Sequence, residues 1–526
     1  MNDALTLVCS ALLISIVVWL LNPLAKLHTL LSYLLRGDTG SHIANHSEEV
    51  RSFEEMPGPK GLPFFGDLIN YVRKTKFKPQ MAMLQTSFEK YGSIFKTTIM
   101  GTTIVSIQDP RNVEIVFKAD GKYPVRPGEV VKIGEWWRKS RNLPKNVAAL
   151  QGEDWSRVRR ALASKMLRPK EIRENLDNFN GVTRDTIEHL LAIRGDDGVI
   201  PDLENELAKY AFESVGTMAF DVRIGLYDDP PNKETVKMIE ATKESFRLLG
   251  VLCRGLENLL FAFVTTPNYR KYCKNQDIAI EIGQRIVDDK VSELKKMAEE
   301  GEEFTKDGAV PLLTYLIMKG ELTPQEINMN SISMFRAGVD TTSGGLLWLL
   351  YDLACNAKAQ EKLYDEVVSL IGPHGDFTPE SFAKLTYGKA CLKESMRLHP
   401  GAFAWGRVLT QEVVLSGYKV PPGTIVRYSN YLAGRSEKLF KFPLEFKPER
   451  WLNDDLGKIH PFAILPFGVG ARMCIGRRIA ETEIYLLATK LVQRFRLEYH
   501  EDPVEMEFRL LAVPDRPLKI KLIDRE

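Results

Sequence analysis

The spacing of apolar residues along most of the chain is that of amphipathic helices, interrupted by a few short strand-like runs. The clearest helix begins at the capping box formed by Thr323 and Glu326, has Pro324 at its first position, and continues without another proline to about Cys355. Further helical segments are 357–371, 387–398 and 477–495. Strand-like runs are 413–415 and 424–426. The pattern therefore predicts a mostly α fold with a small β region.

The N-terminal segment has a different pattern, because it is apolar on every face. Residues 4–25, which are 22 positions without a charged side chain, are followed by Lys26 and Arg36. A helix of that length would span about 33 Å, enough for the hydrocarbon core of a bilayer. We therefore expect a membrane anchor helix or targeting segment over 1–26, a linker over 27–56 and the catalytic domain over 57–526. A cleaved signal peptide is the alternative, although no basic stretch precedes the apolar core.

Composition and charge exclude some classes of function. Lys and Arg total 71 and Asp and Glu total 69, so the chain lacks the basic excess of a nucleic-acid-binding protein. The six cysteines are scattered and include no C-x-x-C pair, which argues against a disulfide framework. One of them, Cys474, lies in a sequence that packing alone does not explain.

Cys474 lies in the glycine-rich stretch 466–476, directly before a predicted helix. Glycines at these spacings let the backbone approach a large flat ligand closely, and a tight loop can direct N–H groups at the sulfur. The positive end of the following helix also favours an anionic sulfur. Arg472, two residues earlier, is placed to meet an acidic group at the edge of the ligand. The stretch therefore predicts a thiolate that binds a metal, with a buried structural cysteine as the alternative.

The stretch from Phe467 to Gly476 resembles the haem-binding signature of the cytochrome P450 family, F-x-x-G-x-R-x-C-x-G, at every fixed position. The other marks of that family occur in the expected order over nearly all of the chain from Pro57 onward. They are Trp155 with Arg159, the run Ala337–Thr342, Glu394 with Arg397, and Arg450. The resemblance implies the cytochrome P450 fold and haem b with Cys474 as the axial thiolate ligand.

The resemblance also implies roles for the residues of the long central helix. Thr341 would hydrogen-bond dioxygen or its water, and Asp340 would help to relay protons from solvent. Thr341 and Gly338 are poor helix formers, so we expect a local break in the hydrogen-bond ladder at this point. Use of the same positions for close helix packing is the alternative.

A structural network and a set of haem contacts follow from the same resemblance. Glu394 and Arg397 are three residues apart, on one face of a predicted helix, and Arg450 would approach from a distant loop. We expect these three side chains to hold the cysteine loop in place rather than to act in catalysis. The expected contacts to haem and its propionates are Trp155, Arg159, Arg407, Phe467 and Arg472.

Three apolar or aromatic segments are predicted to contact the substrate. They are Trp136–Trp137, Ala402–Trp405 and Leu511–Val513. Such linings suit a lipophilic ligand that few polar groups orient, and the resemblance favours a sterol or steroid.

Within the family, the chain is similar to the mitochondrial class, which receives electrons from a small acidic ferredoxin. Positive residues near the cysteine would steer such a donor: Lys389, Lys393, Arg477 and Arg478. The N-terminus, with no basic residue before Lys26, instead resembles an endoplasmic-reticulum anchor. We therefore favour the mitochondrial inner membrane and a ferredoxin-type donor, with the endoplasmic reticulum membrane and a diflavin reductase as alternatives.

The reaction that these features predict is insertion of one oxygen atom from O2 into a C–H bond of a small lipophilic substrate. A haem-thiolate isomerase or lyase that needs neither O2 nor a reductase is one alternative, and the intact Asp340–Thr341 pair argues against it. A non-catalytic haem-binding sensor is another, and it would need neither that pair nor a basic surface near the cysteine.

Overall fold

The computed structural model describes residues 50–61, 66–67, 77–99, 101–220, 222–253, 264–301, 310–453 and 456–525. The predicted anchor or targeting segment over 1–26 and the linker up to residue 49 lie outside the described residues. In the part of the chain that is described, no helix combines the length and apolar character needed to cross a bilayer.

Helices make up most of the described chain, as the apolar periodicity predicts. Their bounds are α1 Phe77–Tyr91, α2 Pro110–Lys118, α3 Glu129–Ser140, α4 Gly152–Met166, α5 Pro169–Glu174, α6 Leu176–Ile193, α7 Leu203–Phe220, α8 Lys233–Leu252, α9 Pro267–Glu300, α10 Leu312–Lys319, α11 Pro324–Cys355, α12 Ala357–Ile371, α13 Pro379–Lys384, α14 Tyr387–Leu398, α15 Asn430–Gly434 and α16 Arg477–Arg494. A single 3-10 turn covers Pro448–Trp451.

The strands are short and form small sheets at the edge of the helical body. They are β1 Ile94–Ile99, β2 Thr102–Ile107, β3 Trp405–Val408, β4 Val413–Leu415, β5 Tyr418–Val420, β6 Ile425–Tyr428, β7 Phe495–Glu498, β8 Met506–Arg509, β9 Leu511–Pro514 and β10 Lys521–Asp524. The largest sheet has the order β1-β2-β6-β3, with β2 and β6 parallel and the outer pairs antiparallel. β7 with β10, β4 with β5, and β8 with β9 form antiparallel two-stranded sheets.

The central element of the core is α11, which packs against α7, α9 and α16. Its residues Val339, Leu346 and Leu353 are fully buried, and each such side chain contributes about 1.5–3 kcal/mol by leaving water. The predicted capping box is present at its start: Thr323 Oγ1 accepts from the Glu326 N–H at 3.2 Å, and Glu326 Oε2 accepts from the Thr323 N–H at 3.0 Å. The helix is therefore fixed both at its beginning and along its length.

Candidate active site

The loop before α16 holds Cys474 in a fixed backbone conformation. The Cys474 N–H donates to the carbonyl of Phe467 at 2.8 Å, which closes the loop on itself. Gly468 and Gly470 have φ values of 69° and 74°, a region that side chains with a Cβ rarely adopt. The glycines of this stretch are therefore required by the turn itself, and the first turn of α16 follows directly.

Cys474 keeps accessible surface, and the surrounding protein nevertheless desolvates its thiol, which raises the pKa above the ordinary 9.0. A hydrogen bond from the Gly476 N–H and the positive charges of Arg126, Arg159 and Arg477 lower it in part. The N–H at the start of α16 thus lowers the pKa as expected of a helix end, but burial outweighs it and the protein alone leaves the sulfur protonated at neutral pH. A thiolate at this position requires a cation bound to the sulfur.

Guanidinium groups from distant parts of the chain meet beside the cysteine loop. Arg159 on α4 donates to the carbonyl of Met473 at 2.7 Å, and Arg126 donates to the carbonyl of Arg472. Arg472 itself donates to the carbonyls of Pro124 and Leu150, each at 3.0 Å. Its guanidinium also lies 3.9 Å from the ring centre of Trp155. Sequence analysis did not identify Arg126.

Positive charge exceeds negative charge in this cluster, which we call the arginine cluster: Arg126, Arg159, Arg407 and Arg472. Among the described residues, Asp120 is the carboxylate that forms a salt bridge with the cluster. Its Oδ2 lies 2.9 Å from Nε of Arg407. Burial and the positive charges of the other three arginines together lower the pKa of Arg472 to about 9. Burial likewise lowers the pKa of Arg126 to about 10, with Arg407 and Arg159 adding to the effect.

Such a cluster fits a ligand that carries negative charge next to the sulfur of Cys474. Uncompensated buried cations are costly, and two carboxylates would offset most of the excess. The two propionates of haem supply that charge, and the donors that could hold them are Arg126, Arg159 and Arg472. Arg407, predicted for the same role, already has Asp120 as a partner, and Trp155 lies beneath Arg472.

Asp340 and Thr341 lie on α11, and the two side chains differ in environment. Burial raises the pKa of Asp340 to about 7, with Lys243 lowering it and Glu204 raising it. Its Oδ2 has no hydrogen-bond partner among the described residues. Thr341 is exposed, and its hydroxyl donates to the carbonyl of Ala337 at 2.7 Å. The site therefore combines a buried acid that titrates near neutrality with a neighbouring alcohol.

The helix around these residues differs from the predicted local break, because α11 continues as an α-helix through all of them. The Thr341 hydroxyl bonds to the carbonyl one turn earlier, an arrangement that threonine can adopt inside a helix. Gly338 serves close packing: a Cβ at this position would come within 2.7 Å of Val215 on α7. The close-packing alternative therefore accounts for the glycine.

A second charged group, which we call the Glu394 network, has two guanidinium groups that both bond to one carboxylate. Arg397 donates to both oxygens of Glu394 at 2.8 and 2.9 Å, and Arg450 donates at 2.8 Å. The Trp451 indole and the Lys447 backbone N–H complete the set at 3.0 and 2.9 Å. Each of the three charged side chains is at least 97% buried, since their exposed fractions are 0, 0 and 3%. Sequence analysis missed Trp451 and Lys447.

The basic residues predicted to meet an electron donor lie at the adjoining ends of α14 and α16. Lys393 and Arg478 are exposed, whereas Arg477 is half-buried and bonds to Glu481 at 2.9 Å. Lys389 is also half-buried, and its ammonium donates to the carbonyl of Ala383 at 2.9 Å. Lys389 is therefore less exposed than a residue expected to meet an electron donor.

The structure brings two of the three predicted substrate segments together. The Ala512 N–H donates to the carbonyl of Gly401 at 3.1 Å, so β9 lies beside the segment after α14. In the first segment, Trp136 is 48% exposed, whereas Trp137 is buried and donates its indole N–H to Asp277 at 2.8 Å. Trp137 therefore has a structural bond of its own.

Comparison with known proteins gives a consistent result. A family model described as Cytochrome P450 matches residues 56–522. Cytochrome P450 10 of Lymnaea stagnalis is 32% identical over 91% of this chain and 87% of its own length. Two relatives from Rattus norvegicus are the mitochondrial 1,25-dihydroxyvitamin D(3) 24-hydroxylase, at 31% identity over 90% of this chain and 89% of its own, and the mitochondrial sterol 26-hydroxylase, at 30% over 91% and 90%.

Proposed function

The chain belongs to the cytochrome P450 family of haem-thiolate monooxygenases, and from this premise we propose that it hydroxylates a sterol-like substrate with electrons from a ferredoxin-type donor. In this proposal Cys474 is the axial ligand of haem b, and residues 57–526 form the catalytic domain. Bound haem supplies the activation of O2, and the protein supplies position, protons and exclusion of water.

The observation that carries the proposal is the meeting of a thiol and an excess of buried cations at one point. The Cys474 loop accepts hydrogen bonds from Arg159 and Arg126 on its own carbonyls, at Met473 and Arg472. Those guanidinium groups therefore bind the loop and an anionic ligand together. A purely structural cysteine would not need a charge excess beside it.

Proton delivery is assigned to Asp340 and Thr341. A pKa near 7 lets Asp340 accept and release a proton at physiological pH. The ion pair of Lys243 and Glu204, 3.9 Å apart and partly exposed, lies close enough to change that pKa and so marks the direction of solvent. Thr341 stands next to the acid and presents its hydroxyl from an exposed position on the helix.

The substrate and donor assignments rest on the names of two relatives and on exposed positive charges near the cysteine. Two relatives are named as hydroxylases of a vitamin D compound and of a sterol, and both names include the mitochondrion. The exposed charges of Lys393 and Arg478 suit an acidic protein donor near the cysteine. We accordingly assign the protein to the mitochondrial membrane, with a diflavin reductase and the endoplasmic reticulum as the competing pair.

The test is the absorption spectrum of the reduced protein under CO, with electrons supplied either by a ferredoxin and its reductase or by a diflavin reductase. A red-shifted Soret band obtained with ferredoxin supports both the thiolate ligand and the donor. The matched variant is Cys474→His, which should still bind haem but should lose the red-shifted band. If native protein reduced by dithionite lacks that band, the assignment of Cys474 is wrong. If only the diflavin enzyme produces it, the donor is wrong and the chemistry stands.

A further inference from the structure

Two arginines outside the arginine cluster, one buried and one half-buried, form no salt bridge with a carboxylate among the described residues. Arg138 is on α3, next to the predicted substrate residues Trp136 and Trp137, and it is 9% exposed. Arg336 is on α11, one helical turn before Asp340, which corresponds to about 6 Å along the axis. The proposed function does not use either residue.

The two side chains face each other across Tyr272 of α9. A Cβ placed on Gly134 would lie 3.2 Å from Nη1 of Arg138 and 3.6 Å from the Tyr272 hydroxyl, so these two groups are neighbours. Arg336 interacts electrostatically with both Tyr272 and Arg138, and its side chain also hydrogen-bonds to Tyr272. Burial raises the pKa of the Tyr272 phenol, which therefore stays neutral and supplies no counter-charge.

Several donor atoms of this pair are buried without a hydrogen-bond partner. They are Nε and Nη2 of Arg138 and Nε of Arg336. The amide nitrogen of Asn275, on the same stretch of α9 as Tyr272, is also unpartnered. Buried donors are usually satisfied, so a group of them at one place indicates an acceptor that the described residues do not provide.

The nearest acidic side chains have other partners. Glu135 lies three residues before Arg138 on α3 and attracts it electrostatically, but its salt bridge is with Lys145, at 3.0 Å. Asp277 accepts from Trp137 and from Arg141, at 2.8 Å in each case. Burial lowers the pKa of both Arg138 and Arg336, as it does for cations without a matched anion.

We infer that Arg138 and Arg336 form a subsite for an oxyanion, a carboxylate or a sulfate group, carried by the apolar substrate. This inference rests on the proposed monooxygenase function and narrows its substrate class to amphipathic anions. Guanidinium groups bind such oxyanions in a forked geometry, and the Asn275 amide adds a further donor.

The position of the pair suits a specificity role. The loop after α3 is bonded to α11 just before Arg336: Asn146 donates to Ser333 at 2.7 Å, and the Val147 N–H donates to Asn330 at 2.9 Å. The pair is thereby held at a fixed distance from Asp340. An anion bound there would orient the rest of an apolar substrate along α11.

The test compares matched neutral and anionic probes on the full-length holoenzyme. The pairs are cholesterol with cholesterol sulfate and methyl palmitate with palmitate, so that sulfate and carboxylate are distinguished. Affinity is measured from the change in the haem absorption spectrum and, independently of haem, from the shift in melting temperature. At least one anionic probe should bind about tenfold or more tightly than its neutral partner, and Arg336→Met and Arg138→Met should remove that preference. The matched control is Lys139→Met, which removes an exposed charge from α3 and should change nothing.

Stability separates a ligand site from a structural one. If no anion within the protein balances the guanidinium, Arg336→Met should raise the melting temperature of the ligand-free protein by about 2–4 °C. A fall in melting temperature would identify an internal partner and overturn the inference. Equal affinity for paired probes, or binding of none of them, would also overturn it. Failure of the proposed function would instead appear as loss of the CO-bound band, whatever the probes do.

Discussion

The Glu394 network is buried and the arginine cluster is buried or half-buried; both contain guanidinium groups, and both adjoin the cysteine loop or the elements that hold it. In the Glu394 network each guanidinium has a carboxylate and several carbonyl partners: Arg450 also donates to the carbonyl of Lys441 at 2.9 Å. In the arginine cluster, of four guanidinium groups only Arg407 pairs with a carboxylate among the described residues, and burial lowers the pKa of Arg472 and Arg126.

The difference between the two regions distinguishes structure from binding. A buried group in which every guanidinium bonds directly to a carboxylate stabilises one arrangement of the chain and needs nothing from outside. A group of guanidinium groups most of which lack a carboxylate is tolerated where a ligand supplies the negative charge. Applied to this molecule, the criterion assigns the Glu394 network to the scaffold and the arginine cluster to cofactor binding.

Breaking the matched region should produce the largest effect. Glu394→Gln leaves two buried guanidinium groups without their anion, so we expect a loss of about 3–5 kcal/mol in the free energy of unfolding. Urea unfolding followed by circular dichroism measures it, with haem content recorded at each step. The control is Glu445→Gln, at a carboxylate whose side chain is 57% exposed, where a loss below about 1 kcal/mol is expected. Similar losses in the two variants would refute the structural role of the network.

Asp340 extends the comparison to a buried acidic group, whose Oδ2 has no hydrogen-bond partner among the described residues. Its pKa is raised from 3.8 to about 7, so folding favours the protonated acid, and native stability should fall as the pH rises from about 4 to about 7. Asp340→Asn removes this penalty. The variant should gain stability relative to the native protein up to pH 7 and level off above it, with an upper bound of about 4 kcal/mol. Urea unfolding at pH 5 to 8 tests this, and parallel pH profiles would show that the carboxyl is not perturbed.

Local sequence spacing predicted the parts of the molecule that depend on neighbours in the chain. The bounds of α11, its capping box, and the three-residue spacing of Glu394 and Arg397 are of this kind. The Cys474 loop is another, because its glycines and cysteine act within one turn. These features follow from short-range geometry, so one sequence is sufficient to identify them.

Partners that fold together from distant segments could not be predicted in the same way. Asp120 meets Arg407 from 287 residues away, and that contact is made only in the folded chain. Arg126 lacks a motif of its own, and its place beside Arg472 follows from the bridge between Val125 and Val408. The position of Lys389 in its helix does not predict that its ammonium donates to the carbonyl of Ala383 on α13.

A cation without a carboxylate partner should respond to substitution in the opposite way from a cation that has one. Arg126→Met removes excess positive charge, so the haem-free protein should keep or gain stability, whereas the rate of haem transfer to apomyoglobin should rise about tenfold, or about 1.4 kcal/mol. Arg160→Met is the control, at an exposed arginine on the neighbouring face of α4. If Arg126→Met instead destabilises the haem-free protein as Glu394→Gln does, the division between the two regions fails.

Exposed charges provide the smallest expected effect, because water and salt screen them. Lys393 lies on the same helix as Glu394 but points to solvent, so it distinguishes the network from the surface above it. Lys393→Glu should leave the melting temperature within about 1 °C and should slow reduction by ferredoxin about tenfold at low ionic strength. The difference should shrink as salt is added, since the Debye length falls from about 30 Å at 0.01 M to about 10 Å at 0.1 M. Lys295→Glu, an exposed charge on α9, is the control. A decrease of equal size in both variants would indicate a general effect of net charge, and a salt-independent decrease would place Lys393 in the scaffold with Glu394.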